Sequence, residues 1–179
     1  EDVVAFHDLP KEKHPRDKFV HFYVDDYRFQ RVWNNPTAYL QQFGYCAGII
    51  SPDFSMTPDM PRMVQMWNCY RNRALTYWLS RRGFKVIPSV GWVDEDSFEW
   101  CFDGIPKGCT VSVSTNGCHS KDGKRAYLDG IVEMVLHIEP RNIVVVGKEI
   151  SECNYMGVPV KHYKGHGQKI KDFVKESKA

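Results

Sequence analysis

Five short apolar runs punctuate this chain, and each stops at a polar or acidic residue. Phe19 to Val24 precedes Asp25-Asp26, and Ala47 to Ile50 precedes Ser51-Pro52-Asp53. Lys85 to Pro88 precedes Ser89, Thr110 to Val113 precedes Ser114-Thr115-Asn116-Gly117, and Ile143 to Val146 precedes Gly147-Lys148. Runs of this length bounded by turn-forming residues read as buried strands, with helix-like stretches between them. The resulting β-α-β-α-β-α-β-α-β order leaves room for right-handed crossovers, so a mainly parallel sheet covered by helices is expected. A complete barrel takes eight such units, and 179 residues hold about five. The expected fold is therefore α/β: a mainly parallel sheet of about five strands in a Rossmann-like three-layer sandwich. Ligands of such sheets bind at the carboxyl ends of the strands, so the five endings point to one crevice.

The length fits a single domain, 1–179, long enough to bury a core without disulfide or metal staples. Residues 1–18 mix charge, His7, His14 and two prolines without periodicity and read as a loosely packed leader; 19–150 form the α/β core. Residues 151–179 read as a basic extension, because Val160 to Ala179 carries six lysines against Asp172 and Glu176. Such a tail is a solvated face or a tracker of phosphates. Whole-chain charge, 24 Lys+Arg against 22 Asp+Glu, is too balanced to imply a polyanionic partner for the entire molecule. The six cysteines form no CxxC pair and lie in or beside apolar segments, as reduced thiols of a cytoplasmic protein do. No signal peptide and no apolar stretch approaching ~20 residues is present, so a soluble, cytoplasmic protein without a membrane partner is expected.

Helix signals are uneven. Thr57 reads as an N-cap with Pro58 at the first helical position, and Met63, Trp67, Tyr70, Ala74, Tyr77 and Trp78 recur at the spacing of one helical face, with Gly83 at the C-terminal cap. Asp94-Glu95-Asp96-Ser97 forms an acidic helix start, where carboxylates complement the dipole and are structural. A charged loop, Ser120 to Arg125, leads to a helix from about Tyr127 to His137.

Asp25, Asp26 and Asp53 follow consecutive strands. If those strands pair, two carboxylates face one crevice, where Asp25 and Asp53 can hold Mg²⁺ or divide acid and base roles; each can equally cap a turn. Arg71 falls within the aromatic stripe of its helix while Arg73 points off it. On an inner face Arg71 needs Asp53, Asp25 or a ligand anion, unless it snorkels from the edge. Ser114, Thr115 and Asn116 with Gly117 form either an anion-binding nest or a polar turn, and no GxGxxG or GxxxxGK[ST] motif supports the nest. Trp92, with Trp33, Tyr27 and Phe54, either stacks on a base or sugar or packs in the core. His162-x-x-x-His166 with Cys118-His119 offers zinc-capable atoms without a spaced cysteine pair or an HExxH helix.

Taken together, Asp25-Asp-Tyr-Arg-Phe29, Trp33-Asn-Asn-Pro36, Ser51-Pro-Asp-Phe-Ser55, Asp59-Met-Pro61, Trp67-Asn-Cys-Tyr-Arg71, Val86-Ile-Pro88 with Trp92, and Phe102-Asp-Gly-Ile105 form a specific set. On these motifs the chain resembles a family of bacterial, phage and mobile-element proteins catalogued as a domain of unknown function. The resemblance covers most of Phe19 to Lys148 and implies a mobile-element origin; it brings no established reaction and no catalytic residue. Where similar chains tend to have arginine before the tryptophan, this one has Gly91.

The sequence thus leads to a phosphate-containing ligand, a nucleotide or nucleic-acid end, at the carboxyl edge of the sheet. Candidate ligand-binding residues are Asp26, Arg28, Asn68, Arg71, Trp92, Ser114, Thr115 and Asn116, with Asp25 and Asp53 catalytic or binding Mg²⁺. No organic cofactor is implied. The reaction class is metal-dependent hydrolysis of a phosphate or glycosidic bond. The alternative is a non-catalytic anti-defence inhibitor that binds or sequesters a host protein, nucleic acid or signalling molecule.

Overall fold

The computed structural model describes residues 2–176. Seven strands alternate with helical segments: β1 (Asp2–Ala5), β2 (Lys18–His21), β3 (Gly48–Ile50), β4 (Val86–Ile87), β5 (Thr110–Ser114), β6 (Asn142–Val146) and β7 (Val160–Tyr163). The α-helices are α1 (Gln30–Asn34), α2 (Leu40–Gly44), α3 (Arg62–Ser80), α4 (Lys121–Ile138) and α5 (His166–Glu176). The fold is α/β with every strand pair parallel, β1 to β4 in one sheet and β5 to β7 in another. A bridge joins the two sheets: Val90 N donates to Ser112 O and Ser112 N to Pro88 O, each at 2.8 Å.

Strand order equals chain order, and the packing follows from it. One face of the strands meets the helices. Val4, Val20 and Ile49 pack with Val32, Phe43, Leu75 and Leu79, while Val111, Val113, Ile143 and Val145 pack with Ile131, Met134 and Ile138. Alternate residues point the other way, and there Val3, Phe19, Ile50, Ile87, Val144, Val146 and Tyr163 pack against one another without any helix. The sheet coils to make this possible. In a flat sheet β2 and β5 would lie about 14 Å apart, three strand spacings, yet Tyr23, just past β2, donates its hydroxyl to Ser112 Oγ of β5 at 2.9 Å.

Several segments differ from expectation. Residues 2–6 are not a loose leader: β1 pairs with β2, and Val3, Val4, Ala5 and Phe6 are buried. The basic extension contains β7 and α5; Lys164 pairs with Asp172, and Lys169 donates to Val3 O at 2.7 Å. Residues 177–179 of that extension lie outside the described residues. Helix α3 starts at Arg62, and Thr57 instead bonds Asp59 in a turn. Gly83 does take the left-handed conformation, φ 82°, and Asp94 closes a capping box with Ser97. Helix α4 begins at Lys121, capped by Ser120, so the charged stretch is its first turns. Among the described residues no helix is long and apolar enough to cross a membrane.

The largest correction concerns α3. Its aromatic stripe faces outward: Met63, Trp67, Tyr70 and Tyr77 are exposed, and Trp67 stacks on Tyr70 beside Trp33. The buried face is Gln65, Asn68, Cys69, Arg71, Asn72, Leu75 and Leu79. Polar residues point inward because this face meets the irregular loop after β3, whose peptide groups need partners. Asn72 accepts from Phe54 N at 2.7 Å and donates to Phe54 O, Asn68 donates to Ser55 O, and Gln65 donates to Thr57 O and Met60 O.

Helix α4 is tied to the β4–β5 connection through Trp92, whose Nε1 donates to Ala126 O at 2.8 Å. The indole lies against Gly130, where a Cβ would fall 2.0 Å from Nε1. Glycine to alanine inside a helix ordinarily gains about 1 kcal/mol. Here Gly130→Ala should instead lose about 1–3 kcal/mol, the usual cost of overpacking, with a red shift of tryptophan emission. Urea unfolding of the variant at or above wild-type stability would contradict this packing.

Candidate functional site

The carboxyl ends of β2 to β5 surround a cavity of about 660 Å³. Its wall takes Tyr23 to Asp25 from the end of β2, Asp53 to Pro58 from β3, Val90 to Val93 from β4, and Ser114, Asn116, Gly117 and Cys118 from β5. Ser120, Asp122, Gly123, Ala126 and Tyr127 at the start of α4 complete it. A second cavity, of about 780 Å³, opens at the opposite end beside Phe19, Arg73 and Lys85. Ligands of parallel sheets bind at the carboxyl edge, and three aspartates line the cavity there, so the first cavity is the candidate site.

Its charged lining consists of Asp25, Asp53 and Asp122; among the described residues no lysine, arginine or histidine lines it. Burial, reinforced by Asp26, pushes the Asp53 carboxyl up to about 7, against the opposing pull of Arg73 and the Ser89 hydroxyl. A serine pair fixes the turn that carries Asp53. Ser51 and Ser89 are fully buried; Ser51 Oγ donates to Ser89 Oγ at 3.1 Å, and Ser89 Oγ donates to Pro52 O at 2.8 Å. The nearby thiol of Cys118 is raised to about 11 by burial, with Asp53 adding to the effect, so it is protonated at neutral pH. Gly91 faces the acid: a Cβ there would lie 3.7 Å from Asp53 Oδ1. An arginine at this position would start beside the carboxylate, and glycine leaves the acid without it.

The expected site residues divide into two groups. Asp25, Asp53, Trp92, Ser114 and Asn116 line the cavity. Asp25 is exposed and pairs with Arg28 at 3.3 Å, and Asn116 Nδ2 donates to Tyr23 O at 3.2 Å, linking the ends of β2 and β5. Ser114 Oγ donates to Val146 O while accepting from Asn116 N. Asp26, Arg28, Asn68, Arg71 and Thr115 lie outside the lining. Asp26 accepts from Ser55 N and Oγ, the latter at 2.8 Å, and so staples the β3 loop to the end of β2. Thr115 is fully buried, with Oγ1 turned toward Gly147.

Arg71 meets neither Asp53 nor Asp25. Its guanidinium lies 3.5 Å from the Phe54 ring centroid and donates to Gln30 Oε1 and Asn68 Oδ1. It shapes the loop that carries Asp53 from outside the cavity. The arginine whose charge reaches Asp53 is Arg73, set aside by the aromatic stripe. It donates to Ser89 O at 2.8 Å, Cys101 O at 2.6 Å and Asp103 O at 3.0 Å, clamping the segments on either side of the 3₁₀ turn at Glu95–Glu99. Following the polar positions 65, 68 and 72 with Cys69 between them would have placed Arg73 at the edge of the buried face. Asp122 was also missed, because its residue reads as loop until α4 is seen to begin before it.

With this geometry in place, comparison with known proteins gives a consistent result. Residues 1–164 match the family described as domain of unknown function DUF4417. The Gene 1 protein of Mycobacterium phage D29 is 39% identical over 147 residues, 80% of this chain and 54% of that protein. The Gene 1 protein of Mycobacterium phage L5 is 35% identical over 158 residues, 87% of this chain and 68% of that protein. The matched part thus spans about half to two thirds of these relatives. No solved structure matches. A chain with this motif set, matched along nearly its whole length and related to two phage proteins, belongs to the DUF4417 domain family.

Proposed function

We propose that the carboxyl-edge cavity binds a phosphate-containing ligand, a nucleotide or nucleic-acid end, together with a divalent cation, and that Asp53 handles the proton in its hydrolysis. The observation that carries this reading is Asp53 itself: a carboxyl raised to about 7 in a cavity whose charged lining is entirely carboxylate. A phosphate entering such a cavity alone meets three acidic side chains and no basic one, so a cation must accompany it. Mg²⁺ takes carboxylate oxygens and bridges to phosphate while keeping several waters, and Asp25 and Asp122 supply those oxygens. The first turn of the 18-residue helix α4 adds amide donors and the positive end of its dipole. A group titrating near neutrality is matched to general acid–base work. Asp53 accepts the proton of the attacking water as the bond to the leaving group breaks, and Trp92 offers a flat apolar wall for a base.

A second reading rests on a different observation. The outward face of α3 leaves Met63 75%, Tyr77 68% and Tyr70 58% exposed, a surface suited to holding another macromolecule, as a non-catalytic inhibitor of host defence would.

Calorimetric titration of Mg²⁺ at pH 7 in two buffers of different ionisation enthalpy should show proton release, absent in Asp53→Asn. Asp25→Asn with Asp122→Asn should weaken binding of Mg²⁺ with ATP by about tenfold or more, since affinity follows ligand charge. Folded variants with unchanged affinity and turnover would sink the proposal. If Trp67→Ser with Tyr70→Ser abolishes the effect on the host while Asp25→Asn with Asp53→Asn leaves it intact, the inhibitor reading replaces it.

Asp53 also makes a stability prediction. Its folded pKa lies above its ordinary 3.8, so the native state binds more protons than the unfolded state between about 4 and 7. Stability therefore falls as pH rises through that window, and Asp53→Asn removes the fall. At pH 8 the variant's Tm should exceed that of the wild type by at least ~2–4 °C, with the gap closing below pH 4. Gly91→Arg should shift the Asp53 carboxyl resonance to titrate lower; an unchanged midpoint would show that the cavity acid does not sense position 91.

A further inference from the structure

Coiling of the sheet brings the segment after β1 against the segment after β7, and three ligand-type side chains meet at this seam. His7 and Asp8 follow β1, and His166 opens α5. One ligand atom from each lies within 4.8 Å of the others. His7 Nε2 and His166 Nε2 face one another at 3.2 Å. Asp8 Oδ2 sits 2.7 Å from His166 Nδ1, and Asp8 Oδ1 sits 3.5 Å from His7 Nε2. The side chains are 15% (His7), 38% (Asp8) and 30% (His166) exposed, enough for an ion to enter.

We propose that this seam is a transition-metal site of the zinc class, with His7 Nε2 and His166 Nε2 as ligands and Asp8 as the carboxylate that orients His166. Two donors about 2.0–2.1 Å from a tetrahedral ion lie about 3.3 Å apart, close to the separation seen. The Asp8–His166 contact fits the carboxylate–histidine–metal arrangement: the carboxylate accepts a hydrogen bond from Nδ1–H, which leaves the lone pair on Nε2, the nitrogen that lies 3.2 Å from His7 Nε2. Paired imidazole nitrogens select zinc, copper or nickel over magnesium, which separates this site chemically from the carboxylate cavity. Lys169, the nearby cation on α5, is engaged by the Asp2 carboxylate and Val3 O.

The ligands come from positions 159 residues apart, so an ion here cross-links the two margins of the coiled sheet. β1 is an edge strand, and α5 covers it. The metal would pin that cover in place and leave its remaining coordination positions to solvent or to a ligand.

The test uses the full chain, stripped with chelator and titrated with Zn²⁺, with Co²⁺ as a spectroscopic probe. Wild-type protein should bind one equivalent of Zn²⁺, gain thermal stability on binding, and give the visible Co²⁺ bands of nitrogen ligation. His7→Gln and His166→Gln should each abolish the stabilisation and the bands. Asp8→Asn, which keeps both imidazoles, should weaken Zn²⁺ binding about 10–100-fold, giving a readout even if a histidine variant misfolds. Asp25→Asn with Asp122→Asn should leave the Zn²⁺ stabilisation and the Co²⁺ bands unchanged, keeping this site distinct from the cavity. Failure of wild type to bind Zn²⁺ stoichiometrically, or equal binding by the folded variants, would reduce the seam to a hydrogen-bonded histidine pair and overturn the proposal.

Discussion

The bond from the Tyr23 hydroxyl to Ser112 Oγ marks the constraint on which the rest of this structure depends. Parallel strands that follow chain order place their helices on one face, and the helix contacts confirm that arrangement. The other face must then be shielded by something else. Here the strands shield it themselves, coiling until residues of β1, β2 and β3 pack on residues of β6 and β7. The buried tyrosine and serine satisfy each other at the centre of that closure. Without it, Val3, Ile50 and Val146, all nearly inaccessible, would face water.

Coiling also gathers the loops at one end. Asn116 binds the backbone of Tyr23, so the β5 loop leans onto the end of β2, and the cavity between them is lined from four strands. The acid at its wall is raised because burial and a neighbouring carboxylate outweigh one arginine and one hydroxyl. The serine pair and Pro52 fix the turn that carries Asp53, Asp26 is committed to the Ser55 amide and hydroxyl and repels it, and Gly91 supplies no cation. Arg73 pulls the other way, but its guanidinium is spent on three carbonyl groups and only partly offsets the burial.

Much of this was legible in the sequence because strand endings are local signals. A short apolar run followed by Asp, Ser or Asn names a loop, and the α/β order says that those loops share an edge; the shared lining of Asp25, Asp53, Trp92, Ser114 and Asn116 follows from that. The missed elements are those whose burial is set by distant partners. β1 is four residues long and is ordered by pairing with β2, while β7 carries Lys161 and His162 on an exposed pattern that reads as tail. Helix α3 misled for a related reason. Periodicity locates a helical face but not its direction, and a face that must bond the carbonyls of a loop is polar, whereas Trp67 and Tyr70 find partners in each other and in Trp33 outside.

The same coiling explains why one sheet edge carries two unlike sets of donors. Within the arc, each strand end runs into a polar loop, and those loops supply carboxylate, hydroxyl and amide oxygens, the ligands of hard cations. At the seam, among the described residues, no strand pairing joins β1 to β7, and side chains cross the gap. Crossing it demands groups that reach and hold at a distance: Lys169 on the β1 backbone and the two imidazoles beside Asp8. Nitrogen donors converge there because the sheet stops one connection short of closing on itself, which makes the seam's chemistry a consequence of strand order and separates it from the chemistry of the cavity.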